Sequence, residues 1–281
     1  MIMKRRSFLA LPAGLCALPV AKAAPAGERP FQLGCVTYNV LKDMDLPTLI
    51  RTLETTGVAA VELRTGHKHG VEPSLTAAER AQVREQFQRS KVKLLSYGST
   101  CEFQSTDAAE RARQIELAKA FVDLARDTGA IAVKVRPNGI PNGAGLPETI
   151  ERIGAGLKEV GAYGQSKGIE IWMEVHGRTT QEPKNAEAIL RAAGHPIVGA
   201  CWNSNPTDVV NGSVKQSFDL LKPYIRSAHI NELYSDYPWR EFFGLLRASG
   251  YKRYTLCEAG ETKDPERFLR YYKALWEALS A

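Results

Sequence analysis

Long hydrophobic segments are missing from this sequence. Its longest predominantly apolar run covers residues 8–20, which is about 13 residues where a membrane-spanning helix needs about 20. With 44% hydrophobic and 24% charged residues, the chain has the balance of a compact protein that can bury a large core. This composition excludes the fibrous, disordered and multi-span membrane classes.

Cysteines at CxxC spacing are also absent. The chain has 5 cysteines, and three of them, Cys35, Cys201 and Cys257, fall within apolar, strand-like runs. A free cysteine in such a run packs as a small core residue. The sequence therefore gives no indication of a disulfide framework.

An excess of one charge is missing once the first 24 residues are set aside. Four of the 37 basic residues and none of the 31 acidic residues lie in that segment, so the remainder has a net charge of +2. The sequence pI of about 9.0 therefore mostly reflects the N-terminal segment, and we expect no nucleic-acid partner.

The N-terminal segment has the pattern of an export signal. Lys4, Arg5 and Arg6 precede the apolar run, and residues 21–24 are small residues and a lysine, spaced as a signal peptidase requires. Paired arginines followed by Ser-Phe-Leu resemble the twin-arginine type. We therefore predict that residues 1–24 are a cleaved signal, that a bacterial cell exports the protein to its periplasm, and that no stable membrane insertion remains afterwards.

No linker or second domain interrupts the rest of the chain, where strand-like and helix-like patterns alternate. Short apolar runs occur at 33–39, 58–64, 92–97, 130–136, 169–175, 197–203, 225–231 and 253–258. Each run precedes a segment with helical periodicity, at 45–55, 76–90, 107–127, 146–167, 184–193, 213–222, 238–249 and 264–279. Eight such units in about 250 residues predict one α/β domain over 30–281, a (βα)8 TIM barrel. The GxGxxG motif of dinucleotide-binding folds does not follow the first strand.

Polar residues cluster where the predicted strands end. In a parallel barrel these ends share one rim, which is where binding and catalysis occur. Glu174, Asn203, His229 and Glu258 end or follow the fifth to eighth strands, one on each strand. Carboxylate, amide and imidazole groups meeting at one point are suited to a divalent metal ion. The spacing therefore predicts a metal or catalytic site at this rim.

The same segments carry a family resemblance. Ile-Trp-Met-Glu174-Val-His176-Gly, Cys-Trp-Asn203, Ser-Ala-His229-Ile-Asn-Glu and Leu-Cys-Glu258, taken in order, resemble the ligand segments of the sugar phosphate isomerase/epimerase superfamily with xylose isomerase-like barrels. The resemblance covers about residues 32–279. It implies one divalent ion, Mn²⁺, Mg²⁺, Co²⁺ or Zn²⁺, and it implies that Glu174 and Glu258 move a proton next to a carbonyl group.

Asn203 departs from the family pattern, which has an aspartate at this position. A neutral amide removes one negative charge from the site, so we expect weaker binding of a divalent ion. The departure leaves three outcomes open: a weaker metal site, a site with altered chemistry, or a metal-free binding barrel. Asp208 is a conceivable substitute, but it lies beyond the strand, where a helix cap or a surface group is expected.

Further residues near the strand ends are candidates for substrate binding. Arg64, Lys134 and Arg136 could bind an anionic group or sugar hydroxyls, or could pair with Glu62 and Glu102. The two tryptophans could stack on a sugar ring, although packing is the usual role of tryptophan. The complete predicted substrate-binding set is Arg64, His67, His69, Glu102, Lys134, Arg136, His176, Trp202, Asn205 and Trp239.

The resulting hypothesis is a metal-dependent sugar isomerase or epimerase that works through an enediolate. Export favours a free sugar, a keto-sugar or another small carbohydrate as substrate, and an oligomer is compatible with the sequence. Elimination from a 3-keto-glycoside by a lyase or hydrolase, and carbohydrate binding without catalysis, stay open as alternatives. A nuclease of the endonuclease IV type is disfavoured, because the chain has only 5 histidines and Pro206 stands where that type has another.

Overall fold

The computed structural model describes residues 29–281, and the predicted signal at 1–24 lies outside them. The strands are β1 (Gln32–Val36), β2 (Ala60–Arg64), β3 (Lys93–Gly98), β4 (Ala132–Val135), β5 (Glu170–Glu174), β6 (Val198–Trp202), β7 (Ile225–Ile230) and β8 (Tyr254–Cys257). The helices are α1 (Leu46–Thr56), α2 (Ala77–Gln88), α3 (Ala108–Thr128), α4 (Leu146–Lys167), α5 (Pro183–Ala193), α6 (Lys215–Leu221), α7 (Trp239–Ala248) and α8 (Pro265–Leu279), with a short 3-10 helix at Pro206–Asp208.

The strands form a closed parallel barrel in chain order. Each strand pairs with its successor, and β8 closes onto β1 with Cys257 opposite Cys35. Alternation with eight helices makes the fold a single TIM barrel, which confirms the predicted fold class. Within residues 29–281, no helix combines the length and the apolar character needed to cross a bilayer.

Local sequence signals fix several helix ends. The carboxylates of Asp45, Asp107 and Asp264 accept hydrogen bonds from backbone N–H groups in the first turns of α1, α3 and α8. Such caps satisfy donors that have no partner within the helix. Gly129 ends α3 in the left-handed conformation, at φ 90°, which costs other residues more than glycine. Asp107 and Asp264 thus occupy the N-cap positions of α3 and α8.

The apolar core has two parts. A large cluster fills the space between the barrel and its helices, and a small cluster that includes Leu95, Trp172 and Leu256 fills the barrel interior. Cys35, Cys101, Cys201 and Cys257 are buried free thiols. Because the packed interior closes the middle of the barrel, polar side chains on inward-facing positions gather at the two ends of the strands.

Candidate active site

Three of the four predicted ligands come together at the C-terminal mouth of the barrel. Glu174 is the last residue of β5, His229 lies near the end of β7, and Glu258 follows β8. One ligand atom from each lies within 4.8 Å of the others. His229 Nδ1 is 3.1 Å from Glu258 Oε2 and 3.9 Å from Glu174 Oε1. Residues separated by up to 84 positions therefore share one point, because their strands belong to one closed sheet.

Asn203 supplies a further oxygen at this mouth. Its side chain is only 8% exposed, and its Oδ1 is buried without a hydrogen-bond partner. Buried oxygens without partners are rare and costly, and they commonly mark a bound water or ion. Asn203 lines the same cavity as Glu174 and Glu258. Two carboxylates, an imidazole nitrogen and an amide oxygen are a donor set that fits a divalent cation.

Glu62 also belongs to this site, although the sequence predicted it only as an ion-pair partner for nearby cations. It is fully buried, and its Oε1 lies 3.3 Å from His229 Nε2. Ser96 Oγ donates a 2.8 Å hydrogen bond to the other carboxylate oxygen. A Cβ atom on Gly98 would come within 2.8 Å of Glu62 Oε1, so any other residue there would force the Glu62 carboxylate to move. A carboxylate behind a ligating histidine fixes its ring orientation.

The sequence feature that could have indicated a buried role for Glu62 is its position within the apolar run Ala-Val-Glu-Leu. Its side chain faces the barrel axis, and burial alone would raise its pKa. The neighbouring His229 and Lys134 outweigh burial and hold the pKa of Glu62 below its ordinary value. Glu62 is therefore a buried carboxylate that its neighbours keep ionised.

The Lys134 ammonium group forms a buried ion pair with Glu174 Oε2. The two side chains are 7% and 5% exposed. Burial raises the pKa of the Glu174 carboxyl, but Lys134 and His229 more than compensate and lower it to about 2. Burial likewise opposes a charged Lys134, and the carboxylates of Glu174, Glu62 and Glu258 raise the pKa of Lys134 above its usual range. This cation sits directly beside the predicted metal ligands.

A cavity of ≈ 480 Å³ opens above these groups, a size that suits a small-molecule ligand. Its walls include seven predicted site residues and several that were not predicted. The predicted ones are Arg64, Lys134, Arg136, Glu174, His176, Asn203 and Glu258. Those not predicted include Tyr38, Asn39, Asn231 and Glu232. These four lie in strand-to-helix loops, where no regular spacing in the sequence selects individual residues.

The cations at the mouth have different partners. Arg136 pairs with Glu102 at 3.4 Å, as one of the predicted alternatives has it. Arg64 instead lies over the Tyr38 ring, 5.1 Å from its centroid, and donates to the carbonyl of Thr65. Pairing of Arg64 with Glu62 is therefore wrong, because Glu62 is engaged by Ser96 and His229.

Six predicted substrate-binding residues are not in the cavity wall. His69 uses one ring nitrogen on the Arg64 carbonyl and the other on the Val71 N–H, so it holds its loop together. His67 contacts Thr37 Oγ1 at 2.8 Å. Burial, followed by the nearby positive charge of Arg64, lowers the pKa of His67 to about 4. Glu102 stands behind Arg136, and Asn205 donates to the Val175 carbonyl.

The two tryptophans belong to the packing around the barrel. Trp202 stacks on Phe242 at 5.2 Å, and its indole N–H donates to the Tyr237 hydroxyl. Trp239 lies 4.5 Å from the same tyrosine ring, and it is only 3% exposed. Their positions therefore match the packing alternative and offer no sugar-stacking surface at the cavity.

Asp208 is buried and caps the 3-10 helix Pro206–Asp208, so the helix-cap alternative is confirmed and the surface-group alternative is wrong. It is 1% exposed and caps the backbone N–H of Asn205 at 2.7 Å. The Tyr237 hydroxyl donates a second bond to the same Oδ2 atom at 3.1 Å. Burial raises the pKa of Asp208 to about 7. The carboxylate supports the loop after β6 and is not part of the Glu174, His229 and Glu258 cluster.

A larger cavity of ≈ 540 Å³ lies at the opposite, N-terminal end of the strands. Arg226, Lys252 and Arg253 are among its lining residues, and no lining residue is acidic. Arg253 makes two hydrogen bonds to Glu170, at 2.6 and 2.7 Å. None of the predicted catalytic or ligand residues lines this cavity, so its greater size does not make it the candidate site.

Comparisons with known proteins agree with this architecture. A family model described as the xylose isomerase-like TIM barrel matches residues 50–274. A D-psicose 3-epimerase from Clostridium cellulolyticum, solved with D-tagatose, has a TM-score of 0.76 at 12% identity, over 89% of this chain and 99% of that one.

Two further solved structures are similar over nearly their whole lengths. The IolI protein with a zinc atom has a TM-score of 0.76 at 15% identity, over 89% of this chain and 98% of that one. The 3-keto-D-glucoside 4-epimerase YcjR from E. coli has a TM-score of 0.74 at 11% identity, over 88% and 99%. No curated protein matches the chain in sequence. At these identities the structural matches establish the fold.

Proposed function

The chain belongs to the xylose isomerase-like TIM barrel family, and we propose that it is a divalent-metal-dependent isomerase or epimerase of small carbohydrates. The observation that carries the proposal is the convergence of Glu174, His229 and Glu258 within 4.8 Å, beside the unpartnered Oδ1 of Asn203. These four residues would hold the ion. The chemistry that a bound ion would supply is polarisation of the substrate's carbonyl and hydroxyl oxygens, which would make the adjacent C–H group more acidic.

The two glutamates of the site have unequal surroundings. Glu174 is tied to the Lys134 ammonium and is almost fully buried. The Glu258 side chain is 18% exposed, contacts His229, and lines the cavity. We infer that Glu258 removes the proton next to the substrate carbonyl, because a base must reach the substrate and have a free oxygen. Epimerisation would need the second carboxyl group, Glu174, to deliver a proton to the opposite face, whereas isomerisation would return the proton from Glu258 to the neighbouring carbon.

The cavity wall supports a carbohydrate ligand. Arg64, Arg136 and His176 offer hydrogen-bond donors above the carboxylates, and the Nδ1 atom of His176 is buried without a partner. Sugar hydroxyls satisfy such groups. The similar structures include epimerases of ketoses and of a 3-keto-glucoside, which supports these two substrate classes. The predicted export of the protein favours unphosphorylated members of both.

A lyase or hydrolase that acts on 3-keto-glycosides is the second candidate. The match to a 3-keto-D-glucoside 4-epimerase favours it. Removal of a proton from the α-carbon of a ketone leads to β-elimination when the β-carbon carries a leaving group, such as the glycosidic oxygen of a 3-keto-glycoside. Epimerisation retains the glycosidic bond, whereas elimination breaks it, so the products distinguish the two reactions.

The proposal is tested by incubating the protein in D₂O with ketohexoses, aldoses and 3-keto-glucosides, with and without added Mn²⁺. Proton NMR then follows loss of the carbon-bound hydrogen and the formation of products. We expect exchange that needs the ion, that EDTA stops, and that is lost in Glu258→Gln. The control Glu116→Gln changes an exposed carboxylate on α3, outside the cavity, and should retain the exchange.

Two results would contradict this function. Product formation without any deuterium incorporation would exclude an enediolate path that exchanges with solvent. Sugar binding that is insensitive to EDTA, with no turnover of any substrate class, would instead indicate a carbohydrate-binding barrel.

A further inference from the structure

Lys134 places a fixed cation among the groups that would bind the metal ion. Its Nζ contacts Glu174 Oε2, while Oε1 of the same carboxylate lies 3.9 Å from His229 Nδ1. The lysine side chain is 7% exposed and forms part of the cavity wall. One carboxylate is therefore shared between an ammonium group and the position expected for a divalent ion.

The charge of the ligand set is low for such a site. Asn203 contributes a neutral oxygen, so the four ligands carry the two negative charges of Glu174 and Glu258. Lys134 neutralises part of the first of these. Glu62 adds a third carboxylate, but it faces the opposite side of the His229 ring, 3.3 Å from Nε2. An ion at the mouth would thus meet a neighbouring positive charge and a reduced negative one in a poorly solvated place.

We propose that Lys134 competes with the divalent ion for the Glu174 carboxylate, so that the ion binds weakly and exchanges readily. This inference rests on the proposed function, since it concerns the same site. Ion binding strengthens when Lys134 loses its charge, and it also strengthens when Asn203 gains one. Lys134 acts on the ion through Glu174 and is in this respect a residue that tunes the affinity of the site.

The contacts distinguish this role from that of a simple structural ion pair. At the other end of β5, both oxygens of Glu170 receive hydrogen bonds from Arg253. Lys134 engages one oxygen of Glu174 and leaves the other facing the ligand His229. The pair is therefore compatible with ion binding but opposes it electrostatically, which is the arrangement expected of a competitor.

The test is the affinity for Mn²⁺ alone, measured by isothermal titration calorimetry on the full chain without substrate. We expect Lys134→Met to bind Mn²⁺ roughly tenfold or more tightly than the unchanged protein, because the repulsive charge is gone. Lys134→Arg should stay close to the unchanged protein, and Asn203→Asp should bind more tightly. Lys119→Met, which removes a lysine paired with Glu116 and Glu159 on the surface, is the control and should change nothing.

Equal or weaker Mn²⁺ binding by Lys134→Met would overturn the inference and would mean that the lysine positions Glu174 for the ion. If that variant does not fold, NMR of ¹⁵N-labelled lysine ammonium groups in the unchanged protein, with the signal assigned through Lys134→Arg, gives a second test. Diamagnetic Zn²⁺ should shift the Lys134 signal as its contact with Glu174 weakens. A signal unchanged at saturating Zn²⁺ would contradict the competition.

The inference and the proposed function can fail separately. Tight Mn²⁺ binding by Lys134→Met together with no hydrogen exchange in any substrate would support the competition and reject the isomerase. Ion-dependent exchange together with equal Mn²⁺ affinities in the two proteins would support the isomerase and reject the competition.

Discussion

The two ends of the barrel differ in how their charged groups are paired. At the N-terminal end, Glu170 accepts two hydrogen bonds from Arg253 and one from the Trp172 indole N–H. At the C-terminal end, three carboxylates, Glu62, Glu174 and Glu258, are next to one ammonium group and one imidazole.

The first arrangement is a carboxylate matched to a guanidinium. The second contains more acceptor capacity than its own donors satisfy, and the unpartnered Asn203 Oδ1 lies beside it. Charged groups with fitting partners contribute to stability, whereas groups left without them indicate a ligand. Because β5 has a glutamate at each of its ends, the comparison can be tested within one strand.

The largest expected effect separates Glu174 from Glu170. We expect Glu174→Gln to lower the rate at which the substrate's carbon-bound hydrogen exchanges with solvent roughly 10³-fold. The variant removes a proposed metal ligand and one of the two carboxylates proposed to transfer the proton. Glu170→Gln should retain the rate and lower the free energy of unfolding by about 1–2 kcal/mol, since it weakens charge-assisted hydrogen bonds that are partly exposed. Proton NMR of the substrate in D₂O measures the exchange rate, and urea unfolding measures the free energy of unfolding.

The comparison between the ends would fail if both variants lost activity to the same extent. It would also fail if Glu170→Gln left stability unchanged, because the N-terminal pair would then contribute nothing to the fold.

A smaller effect is expected from Glu62, which contacts the far side of the His229 ring. Glu62→Gln should weaken Mn²⁺ binding about 10–100-fold, because the histidine loses the carboxylate that orients it. Calorimetry gives the affinity, and Glu102→Gln, which changes the carboxylate paired with Arg136 outside the cavity wall, serves as the control with unchanged binding. An unaltered affinity in Glu62→Gln would mean that the barrel packing alone orients His229.

The raised pKa of Asp208 predicts that the stability of the fold depends on pH. Glu170, whose pKa is lowered, does not contribute to this dependence. The pKa of Asp208 is raised from 3.8 when unfolded to about 7 when folded, because burial outweighs its two hydrogen bonds. The folded state therefore binds more protons than the unfolded state between these values. The stability contributed by protonation is complete below about pH 4 and is lost as the pH rises through 7.

We expect the free energy of unfolding to fall between pH 5 and pH 8 by an amount on the order of 1–3 kcal/mol. Asp208→Asn should remove this slope, because an amide cannot titrate. Urea unfolding at several pH values measures it. A slope that persists in the variant would assign the effect to another group.

The smallest expected effect is at the larger, N-terminal cavity. Arg226→Met should change the rate of exchange of the carbon-bound hydrogen less than about twofold, because the carboxylates proposed to move the proton line the cavity at the other end of the barrel. The measurement is the steady-state rate at which the substrate's carbon-bound hydrogen exchanges with D₂O, compared between the variant and the unchanged protein. A loss comparable to that of Glu258→Gln would mean that catalysis depends on the N-terminal end.

Much of the site could be predicted because local patterns placed the ligands at strand ends. Glu174, Asn203, His229 and Glu258 each follow an apolar run, so their common rim followed from the barrel alone. Glu62 was assigned only as an ion-pair partner, because a polar residue inside an apolar run points to the barrel axis without indicating what it meets. Lys134 was predicted for the substrate, but its contact with Glu174 depends on the pairing of neighbouring strands.

Other predictions depended on side-chain direction and were less successful. Trp202 and Trp239 stand beside strand ends in the sequence, yet their rings pack against Tyr237 and Phe242 outside the barrel. Both ring nitrogens of His69 form hydrogen bonds with the backbone of its own loop. Period-two alternation applies only along a strand, and these residues lie at or beyond the point where it ends.

The eight alternating units and the order of the predicted ligand residues could be read from local patterns, because each of these depends on neighbours a few positions apart. The folded barrel was needed to show that the His229 imidazole lies between Glu62 and Glu258, and that Lys134 pairs with Glu174. Those contacts join strands that are distant in the chain. Their distances are set by the closure and register of the barrel, which no local pattern encodes.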